Sequence, residues 1–248
     1  MILKQFFEKN PKAALAFSGG VDSAYLLYAA KLFGADVRAY YVKTPFQPQF
    51  EYEDAISLAR QLQMPMATID LDVLDDPQIV ANPENRCYYC KKRIFTAIAE
   101  QAKKDSYALI LDGTNASDRR DDRPGMQALE ELNVASPLRL CGLTKADIRK
   151  LSKEADLFTH DKPAYACLAT RIPSGIPITP ELLIKTENSE AFLQSLGFSD
   201  FRIRFFGDAA KIQVKESQLS LLVEHRQRIL EKLKKDYTAV LLDLEVRE

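Results

Sequence analysis

The stretch from Ser18 to Ser23, which reads SGGVDS, constrains the fold of this chain more than any other feature. The apolar run Ala13 to Phe17 before it suits a buried parallel strand, and Ala24 to Phe33 after it has apolar residues at helical spacing. Glycines let a backbone approach a phosphate closely, and the N-terminus of the next helix offers free N–H donors. The order strand, glycine loop, helix therefore predicts a phosphate-binding loop rather than an ordinary serine-capped turn.

The loop differs from two common nucleotide-binding motifs. No Gly-Lys-Ser/Thr follows a glycine loop, and the Gly-x-Gly-x-x-Gly pattern is missing. Ser18 and Ser23 can donate hydroxyl hydrogens, whereas Asp22 would repel phosphates unless a Mg²⁺ ion lay between them. The candidate phosphate-binding residues are Ser18, Gly19, Gly20, Val21, Asp22 and Ser23.

Strands and helices alternate along the first part of the chain. The sequence predicts strands at Val37 to Val42, Ala67 to Val73 and Ala108 to Leu111, and helices at Glu51 to Gln63 and Lys91 to Lys104. This alternation is typical of an open, mostly parallel α/β sheet. Ligands of such sheets bind beyond the carboxyl ends of the strands.

A change in character divides the chain. Asp161 to Pro180 reads as a linker because it is rich in proline. We therefore expect two domains, 1–172 and 173–248, of which the second is a small α+β domain. Its predicted helices are Pro180 to Leu196 and Gln218 to Lys234, and its predicted strands are Phe201 to Phe206, Ala210 to Val214 and Ala239 to Leu244.

Composition narrows the class of protein. The 248 residues carry a net charge of -1 with acids and bases interspersed, unlike a general nucleic-acid binder. No apolar run approaches the roughly 18 to 20 residues that span a bilayer, and charges interrupt the N-terminus before a signal-peptide core forms. We therefore expect a cytoplasmic protein that does not act at a membrane, and nucleic acid is not the favoured partner.

The four cysteines favour metal binding, catalysis or burial over disulfides. Cys87 and Cys90 form a Cys-x-x-Cys, which fits a zinc half-site, a redox pair or half of a cluster site. Cys141 lies in an apolar context and reads as inert, whereas Cys167 stands alone. The chain has only two histidines to complete a zinc site. Three sulfur ligands with an open corner suit a [4Fe–4S] cluster, and three unrelated thiols are the alternative.

At this point the chain resembles a known family. SGGVDS matches the pyrophosphate loop of the ATP pyrophosphatase superfamily, and Asp112 to Asn115 resembles a second superfamily element at the nucleotide. Further stretches resemble the ATP-dependent sulfur transferases (LarE) that help build the nickel-pincer cofactor of lactate racemase. These are RCYYCKKRIF from Arg86, DGTNASD from Asp112, RPGMQAL from Arg123, SPL from Ser136, LTKADIRKLS from Leu143, DKPAYACLATRIPSG from Asp161 and SEAFLQSLGF from Ser189.

The resemblance implies a fold and an activity. The fold is a Rossmann-like open parallel sheet of the PP-loop (adenine nucleotide alpha hydrolase) type with a small C-terminal α+β domain. In the activity, ATP adenylates a carboxylate of pyridinium-3,5-biscarboxylic acid mononucleotide, pyrophosphate leaves, and sulfur displaces AMP to give a thiocarboxylate. The chemistry is sound, because adenylation supplies a good leaving group and a thiolate or sulfide is a strong nucleophile near neutral pH.

The resemblance also implies the sulfur source and the site residues. In one version of the family a single cysteine gives up its sulfur and becomes dehydroalanine. In the other, three cysteines hold a [4Fe–4S] cluster with a transferable sulfide. Cys167 matches the sacrificial position, and Cys87 with Cys90 completes the three-cysteine set, which favours the cluster. The implied residues are Cys167, Cys87, Cys90 and Asp22 for catalysis, Gly113 and Thr114 at ATP, and Arg171, Arg202, Arg204 and Glu190 at substrate or phosphate.

Several interpretations stay open beside this one. The implied cofactors are ATP, Mg²⁺ and the cluster, and the implied partners are a small mononucleotide and further copies of the chain. Lys211 and Gln213 stand where Arg and Glu are expected, which leaves the exact substrate open. A tRNA thiolase would share the pyrophosphate loop, an amide-forming synthetase would not need the cysteines, and a regulatory module would bind ATP without turnover.

Overall fold

The computed structural model describes residues 2–118 and 124–247 of the chain, so Arg123, which opens the RPGMQAL stretch, lies outside the described residues. The described residues form two compact units. The first runs to Val73 and continues from Asn85 to Lys162, and the second comprises Leu74–Glu84 and the residues from Pro163 onward. The predicted boundary after residue 172 stays a prediction, because compactness alone does not establish which segments fold independently.

The strands form one sheet in each unit. The first unit has a four-stranded sheet of order β3-β2-β1-β4 in which every pairing is parallel, and the second has a three-stranded sheet of order β5-β6-β7. The strands are β1 (Lys12–Ala16), β2 (Asp36–Lys43), β3 (Met66–Asp70), β4 (Ile110–Leu111), β5 (Arg202–Phe206), β6 (Ala209–Gln213) and β7 (Val240–Leu242). The parallel sheet, its helices and the small second sheet confirm the predicted α/β fold class.

Helices connect the strands in both units. They are α1 (Leu3–Lys9), α2 (Val21–Leu32), α3 (Gln49–Gln61), α4 (Pro77–Val80), α5 (Arg86–Lys104), α6 (Pro124–Glu131), α7 (Pro137–Leu140), α8 (Lys145–Glu154), α9 (Pro180–Ser195), α10 (Leu219–Glu224) and α11 (Arg226–Leu233). Short 3-10 turns lie at Phe158–His160, Leu168–Arg171 and Glu216–Gln218. Thr144 shows why α8 begins where it does, since it caps the helix in a reciprocal capping box with Asp147.

Apolar layers cover both faces of the parallel sheet. Successive residues of a strand point to opposite faces, so Leu15 of β1 packs into one apolar cluster and Ala14 into the other. Leu26 and Leu27 of α2 belong to the Leu15 cluster, and Ile98 of α5 belongs to the Ala14 cluster. Burial on both faces explains why β1 reads as a continuous apolar run.

The strand order creates a crevice at one point of the sheet edge. From β1 the chain passes to β2 and β3 on one side, and it later returns to place β4 on the other side of β1. Leu15 pairs with Leu111 in this parallel ladder, so both strands end at the same edge. Open α/β sheets bind ligands at such a switch point, and here the segments that follow β1 and β4 flank it.

The second unit is built around a hairpin and one long helix. Strands β5 and β6 pair antiparallel, and β7 lies parallel to β6. The segment 74–84 joins this unit through Asn82, whose fully buried side-chain amide donates to the carbonyls of Pro173 (2.9 Å) and Ile176 (3.0 Å). In the described part of the chain, no helix combines the length and apolar character needed to cross a membrane.

Candidate ATP-binding and cysteine sites

The phosphate loop follows β1 and leads into α2, as the sequence predicts. Gly19 has a φ of +72°, a conformation that side-chain-bearing residues rarely adopt. A Cβ atom there would lie 3.0 Å from the Cβ and 3.1 Å from the Cα of Ala55 on α3. Gly20 is the N-cap of α2, so the free N–H groups of that helix open onto the loop. Glycine at position 19 is therefore required by backbone conformation and by the close approach of α3.

The two serines fix the shape of the loop. The hydroxyl of Ser23, which is 3% exposed, donates to the carbonyl of Gly20 (3.2 Å) and accepts from the backbone N–H of Ser18 (3.3 Å). The Ser18 hydroxyl lies 3.2 Å from the Ser23 hydroxyl and accepts from the N–H of Gly20 at 3.4 Å. These bonds hold the loop in place before any ligand binds, which is the kind of preorganisation that anion binding uses.

Asp22 has one paired and one unpaired oxygen. The ammonium of Lys145, the first residue of α8, lies 2.7 Å from Oδ2 of Asp22. The other oxygen, Oδ1, is buried and has no hydrogen-bond partner among the described residues. A buried carboxylate oxygen without a donor is costly, and a hard cation such as Mg²⁺ prefers this type of ligand. The residues present therefore fit a magnesium ion at Asp22.

The segment after β4 closes on the phosphate loop. A Cβ atom on Gly113 would lie 3.0 Å from the backbone nitrogen of Ser23 and 3.3 Å from Cβ of Asp22. Asp112 beside it is buried, and it accepts hydrogen bonds from the hydroxyls of Thr114 and, at 2.6 Å, Ser136. The structure thus brings both predicted ATP-binding segments together at the switch point of the sheet.

Cys87 and Cys90 lie on one face of a helix. Helix α5 begins at Arg86, five residues before the predicted start, so both cysteines are in its first two turns. Side chains three residues apart share a helix face, and Cys87 is exposed whereas Cys90 is partly buried. Two adjacent thiols suit two ligands of an iron–sulfur cluster. Cys167, the third predicted ligand, belongs to the second unit.

Metal-binding groups do not otherwise stand out. Within residues 2–118 and 124–247, no group of three or more His, Cys, Asp or Glu side chains is arranged to hold a metal ion. Cys141 is partly buried, and burial raises the pKa of its thiol. A raised pKa disfavours the thiolate, which agrees with the inert role expected from the sequence.

The backbone around Cys167 is clamped by hydrogen bonds. Cys167 precedes the 3-10 turn Leu168–Arg171, and its carbonyl accepts from the N–H (3.0 Å) and the hydroxyl (2.8 Å) of Thr170. The guanidinium of Arg171 donates to the carbonyls of Ala166 (2.8 Å) and Cys167 (3.3 Å). The conformation of this cysteine is therefore set by two side chains that follow it in the chain.

Arg171 is itself held by Glu190 of α9. Both side chains are buried, at 0% and 5% exposed, and the guanidinium donates from Nε to Oε1 (2.8 Å) and from a terminal nitrogen to Oε2 (2.9 Å). Glu190 also accepts from the hydroxyl of Tyr165 (2.5 Å) and the backbone N–H of Ile203 (2.9 Å). Four donors on one carboxylate satisfy a buried charge that would otherwise be very costly.

Two guanidinium groups contact the ring of Tyr165. The carbon atoms of the Arg171 and Arg202 guanidiniums lie 4.6 Å and 5.0 Å from its ring centre. Burial and the Glu190 carboxylate raise the pKa of Tyr165, so its hydroxyl stays a donor. Burial, followed by repulsion from Arg171 and Arg247, lowers the pKa of Arg202 to about 10. We name Tyr165, Arg171, Glu190 and Arg202 the arginine cage.

The remaining contacts of the two β5 arginines are also internal. Arg202 donates to the carbonyls of Phe201 (2.6 Å) and Ala164 (2.5 Å). Arg204 donates to Oε1 of Gln213 (2.8 Å) and to the carbonyl of Thr170 (2.7 Å). These bonds place the guanidiniums beside the Cys167 segment. Binding of substrate or phosphate by Arg171, Arg202, Arg204 and Glu190 stays a prediction.

The departures at Lys211 and Gln213 have a structural account. Asp243 lies 2.8 Å from the Lys211 ammonium and accepts from the Gln213 amide at 2.7 Å, while that amide's oxygen accepts from Arg204. The neutral amide therefore bridges a cation and an anion.

The sequence analysis gave no role to Lys145, Tyr165 or Thr170, although each lies within a stretch that carries the family resemblance.

Comparison with known proteins places this arrangement in a family. No family model matches the chain. It is 34% identical over 223 residues to an uncharacterized protein of Synechocystis sp., covering 90% of this chain and 83% of that protein. It is 31% identical over 236 residues to the pyridinium-3,5-bisthiocarboxylic acid mononucleotide synthase of Lactiplantibacillus plantarum, covering 94% and 86%. It is 26% identical over 200 residues to the tRNA-specific 2-thiouridylase MnmA of Pseudothermotoga lettingae, covering 66% and 57%. With the phosphate loop after β1 and the clamped cysteine in the second unit, the chain belongs to the LarE family of ATP-dependent sulfur transferases.

Proposed function

We propose that this protein adenylates a carboxylate of pyridinium-3,5-biscarboxylic acid mononucleotide with ATP and then replaces AMP with sulfur, which yields a thiocarboxylate. The observation that carries the proposal is the phosphate loop, where Gly19 and Gly113 allow close backbone approach and Asp22 keeps an unpaired buried oxygen. The similarity to a pyridinium-3,5-bisthiocarboxylic acid mononucleotide synthase supports the choice of substrate.

The adenylation step assigns a task to each residue of the loop. The N–H groups at the start of α2 and the hydroxyl of Ser18 bind the β and γ phosphates. Asp22 would hold a Mg²⁺ ion, which would supply positive charge to the phosphates. A carboxylate oxygen of the substrate attacks the α phosphorus, and the bond to the bridging oxygen breaks. Pyrophosphate leaves with that electron pair, and charge that develops on it is stabilised by the same donors.

The sulfur step takes place at the acyl carbon. A sulfur nucleophile attacks this carbon, and AMP departs with the electron pair of the acyl–oxygen bond. Cys167 is the residue proposed for this step, either as the donor of its own sulfur or as a cluster ligand together with Cys87 and Cys90. In the first case Sγ of Cys167 bonds to the acyl carbon, the Cα proton of Cys167 is lost and its Cβ–S bond breaks, which leaves the thiocarboxylate and a dehydroalanine. When bound, a [4Fe–4S] cluster with three cysteine ligands can carry a transferable sulfide on its fourth iron. Arg171 and Thr170 keep the Cys167 backbone in one conformation.

Thiolation of tRNA is the second candidate, because the chain is similar to a tRNA-specific 2-thiouridylase over 66% of its length. The near-neutral net charge of -1 favours the small substrate over a polyanion. A direct comparison of the two substrates in parallel reactions distinguishes them.

The test is an anaerobic reaction of the reconstituted protein with Mg-ATP and the pyridinium biscarboxylate mononucleotide, followed by mass spectrometry. We expect a mass gain of the substrate that corresponds to replacement of oxygen by sulfur. Adenylated substrate without sulfur would support the proposed substrate and contradict the proposed sulfur source. Absence of both products, with thiolated tRNA in a parallel reaction, would overturn the proposed substrate.

The sulfur source is tested with cysteine variants and with iron and sulfide analysis. If a cluster supplies sulfur, the pair of substitutions Cys87→Ala and Cys90→Ala abolishes both the bound iron and the thiolated product. If Cys167 is sacrificial, this variant still makes one product per protein, and Cys167 loses the mass of its sulfur. Cys141→Ala is the matched control, and it leaves either route intact.

A further inference from the structure

In the first unit, the ammonium of Lys162 forms ion pairs with two carboxylates. The ammonium lies 2.8 Å from Oε1 of Glu51 and 2.7 Å from Oδ2 of Asp54, both on α3. The side chains of Lys162 and Glu51 are only 14% and 12% exposed, and that of Asp54 is 36% exposed. We call Lys162, Glu51 and Asp54 the ion triad. The ammonium of Lys162 thus pairs with two carboxylates.

This triad differs from an ordinary surface ion pair. Exposed pairs are worth little, because water and mobile side chains compete with them. A mostly buried pair behaves otherwise, since loss of one partner leaves an uncompensated charge out of water. The ion triad therefore holds Lys162 firmly against α3 as long as all three side chains are present.

The backbone of Lys162 is fastened as well. Arg149 of α8 donates to the carbonyl of His160 (2.7 Å) and to the carbonyl of Lys162 (2.9 Å). Lys162 also donates its backbone N–H to the carbonyl of Thr159 at 3.2 Å. Side chain and main chain of one residue are thus tied to two different helices of the first unit.

The helix that carries the acids also contacts the phosphate loop. Ala55 follows Asp54 directly on α3, and its backbone limits the space at Gly19 to 3.1 Å from a would-be Cβ. Lys162 is the last residue of the first unit, and the chain continues through Pro163 to Cys167. A fixed path of contacts therefore joins the phosphate loop, α3 and the residue from which the Cys167 segment departs.

We propose that Lys162 is a positioning residue for sulfur transfer: its ion triad fixes the origin of the segment that carries Cys167. Cys167 is five residues beyond Lys162, and a chain spans at most about 3.6 Å per residue, so its Cα stays within roughly 18 Å of that point. A fixed origin limits the positions that the sulfur can reach, and the rate of a transfer between two held groups depends on such positioning. The inference rests on the proposed function and adds a residue to it.

The test separates the two half-reactions in Lys162→Met. Pyrophosphate release in the presence of substrate reports adenylation, and single-turnover formation of thiocarboxylate reports sulfur transfer. We expect adenylation within twofold of the original protein and sulfur transfer slowed at least tenfold. Lys162→Arg keeps the charge and restores most of the sulfur step. Lys4→Met is the control, because Lys4 pairs with Glu8 at an exposed site and should change neither half-reaction.

Hydrogen exchange of residues 157–167 gives a readout that does not depend on activity. Faster exchange is expected in Lys162→Met and not in Lys4→Met. An equal loss of both half-reactions, or unchanged sulfur transfer, would overturn the positioning role. If the original protein makes no thiocarboxylate, the proposed function fails, and unchanged exchange in Lys162→Met would show separately that the triad fastens nothing.

Discussion

The phosphate loop and the arginine cage are both held in one conformation by internal contacts, but by different kinds of groups. The loop uses small residues and backbone groups, and it works because side-chain atoms are missing at Gly19 and Gly113. The cage uses large charged side chains, and it works because every polar atom of the Glu190 side chain has a donor. We therefore expect that an added side-chain atom disrupts the phosphate loop, whereas removal of a charge disrupts the arginine cage.

Glu190→Gln is expected to destabilise the protein more than any other substitution in the cage or the loop. The substitution keeps the shape of the side chain but leaves the buried guanidinium of Arg171 without its counter-charge. Loss of one partner of a buried ion pair costs about 3 to 5 kcal/mol. We expect the free energy of unfolding to fall by that amount in urea denaturation.

The control for this variant lies on the same helix. Glu181 is exposed in the first turn of α9, so Glu181→Gln should barely change the unfolding midpoint. Equal effects of the two substitutions would mean that the cage contributes no special stability and that the comparison with the loop is wrong.

Gly19→Ala is expected to damage ATP use more than stability. The new methyl group would push against the backbone of α3 and displace the loop, and a misplacement of about 1 Å can cost about 100-fold in rate. Gly34→Ala is a matched control, since Gly34 also has a positive φ (+68°) but nothing lies within 4 Å of its Cβ position. Both variants carry the backbone strain, so a loss of pyrophosphate release in Gly19→Ala alone isolates the steric contact.

These two sites also differ in what the sequence reveals. The phosphate loop could be predicted because its chemistry depends on residues adjacent in sequence. A predicted strand followed by Gly19 and Gly20 indicates a loop whose backbone can approach a phosphate closely. The fold class followed from the same alternation of elements. The resemblance singled out Arg171, Arg202 and Glu190, but their mutual contacts could not be predicted. Tyr165 and Glu190 lie 25 residues apart, and their hydrogen bond depends on how α9 packs. Lys162 shows the same limit, since Glu51 is more than a hundred residues away in the sequence.

Tyr165→Phe tests whether the cage depends on its hydroxyl or on its ring. The substitution keeps the aromatic ring that contacts the two guanidiniums, and it removes the hydrogen bond from the hydroxyl to the Glu190 carboxylate. A hydrogen bond to a charged group contributes about 1.5 to 3 kcal/mol, and Arg171 still satisfies the same oxygen, so we expect a loss near the lower value. A loss equal to that of Glu190→Gln would show that the hydroxyl, and not the ion pair, holds the cage together.

The smallest expected effect is a change in acid stability of the second unit. Burial by itself would raise the pKa of Asp200, but Lys215 (3.1 Å) and Arg247 (3.0 Å) outweigh it and lower the pKa below its ordinary value of 3.8. A lowered pKa in the folded state gives stability that is complete above the unfolded value and is lost as pH falls through the folded value. Asp200→Asn should therefore be less stable than the original chain at neutral pH, and this difference should shrink below about pH 4.

Urea denaturation at several pH values, with the exposed Asp208→Asn as control, measures this difference. If the gap between Asp200→Asn and the original chain stays constant down to acid pH, the ion pairs do not account for the stability of this region. A gap that closes only for Asp200→Asn would show that the ion pairs of Asp200 with Lys215 and Arg247 also stabilise the second unit, and that protonation of Asp200 removes this contribution. The hydrogen bonds of Ser18 and Ser23 in the phosphate loop involve no titratable group, so these bonds should persist over the same range of pH.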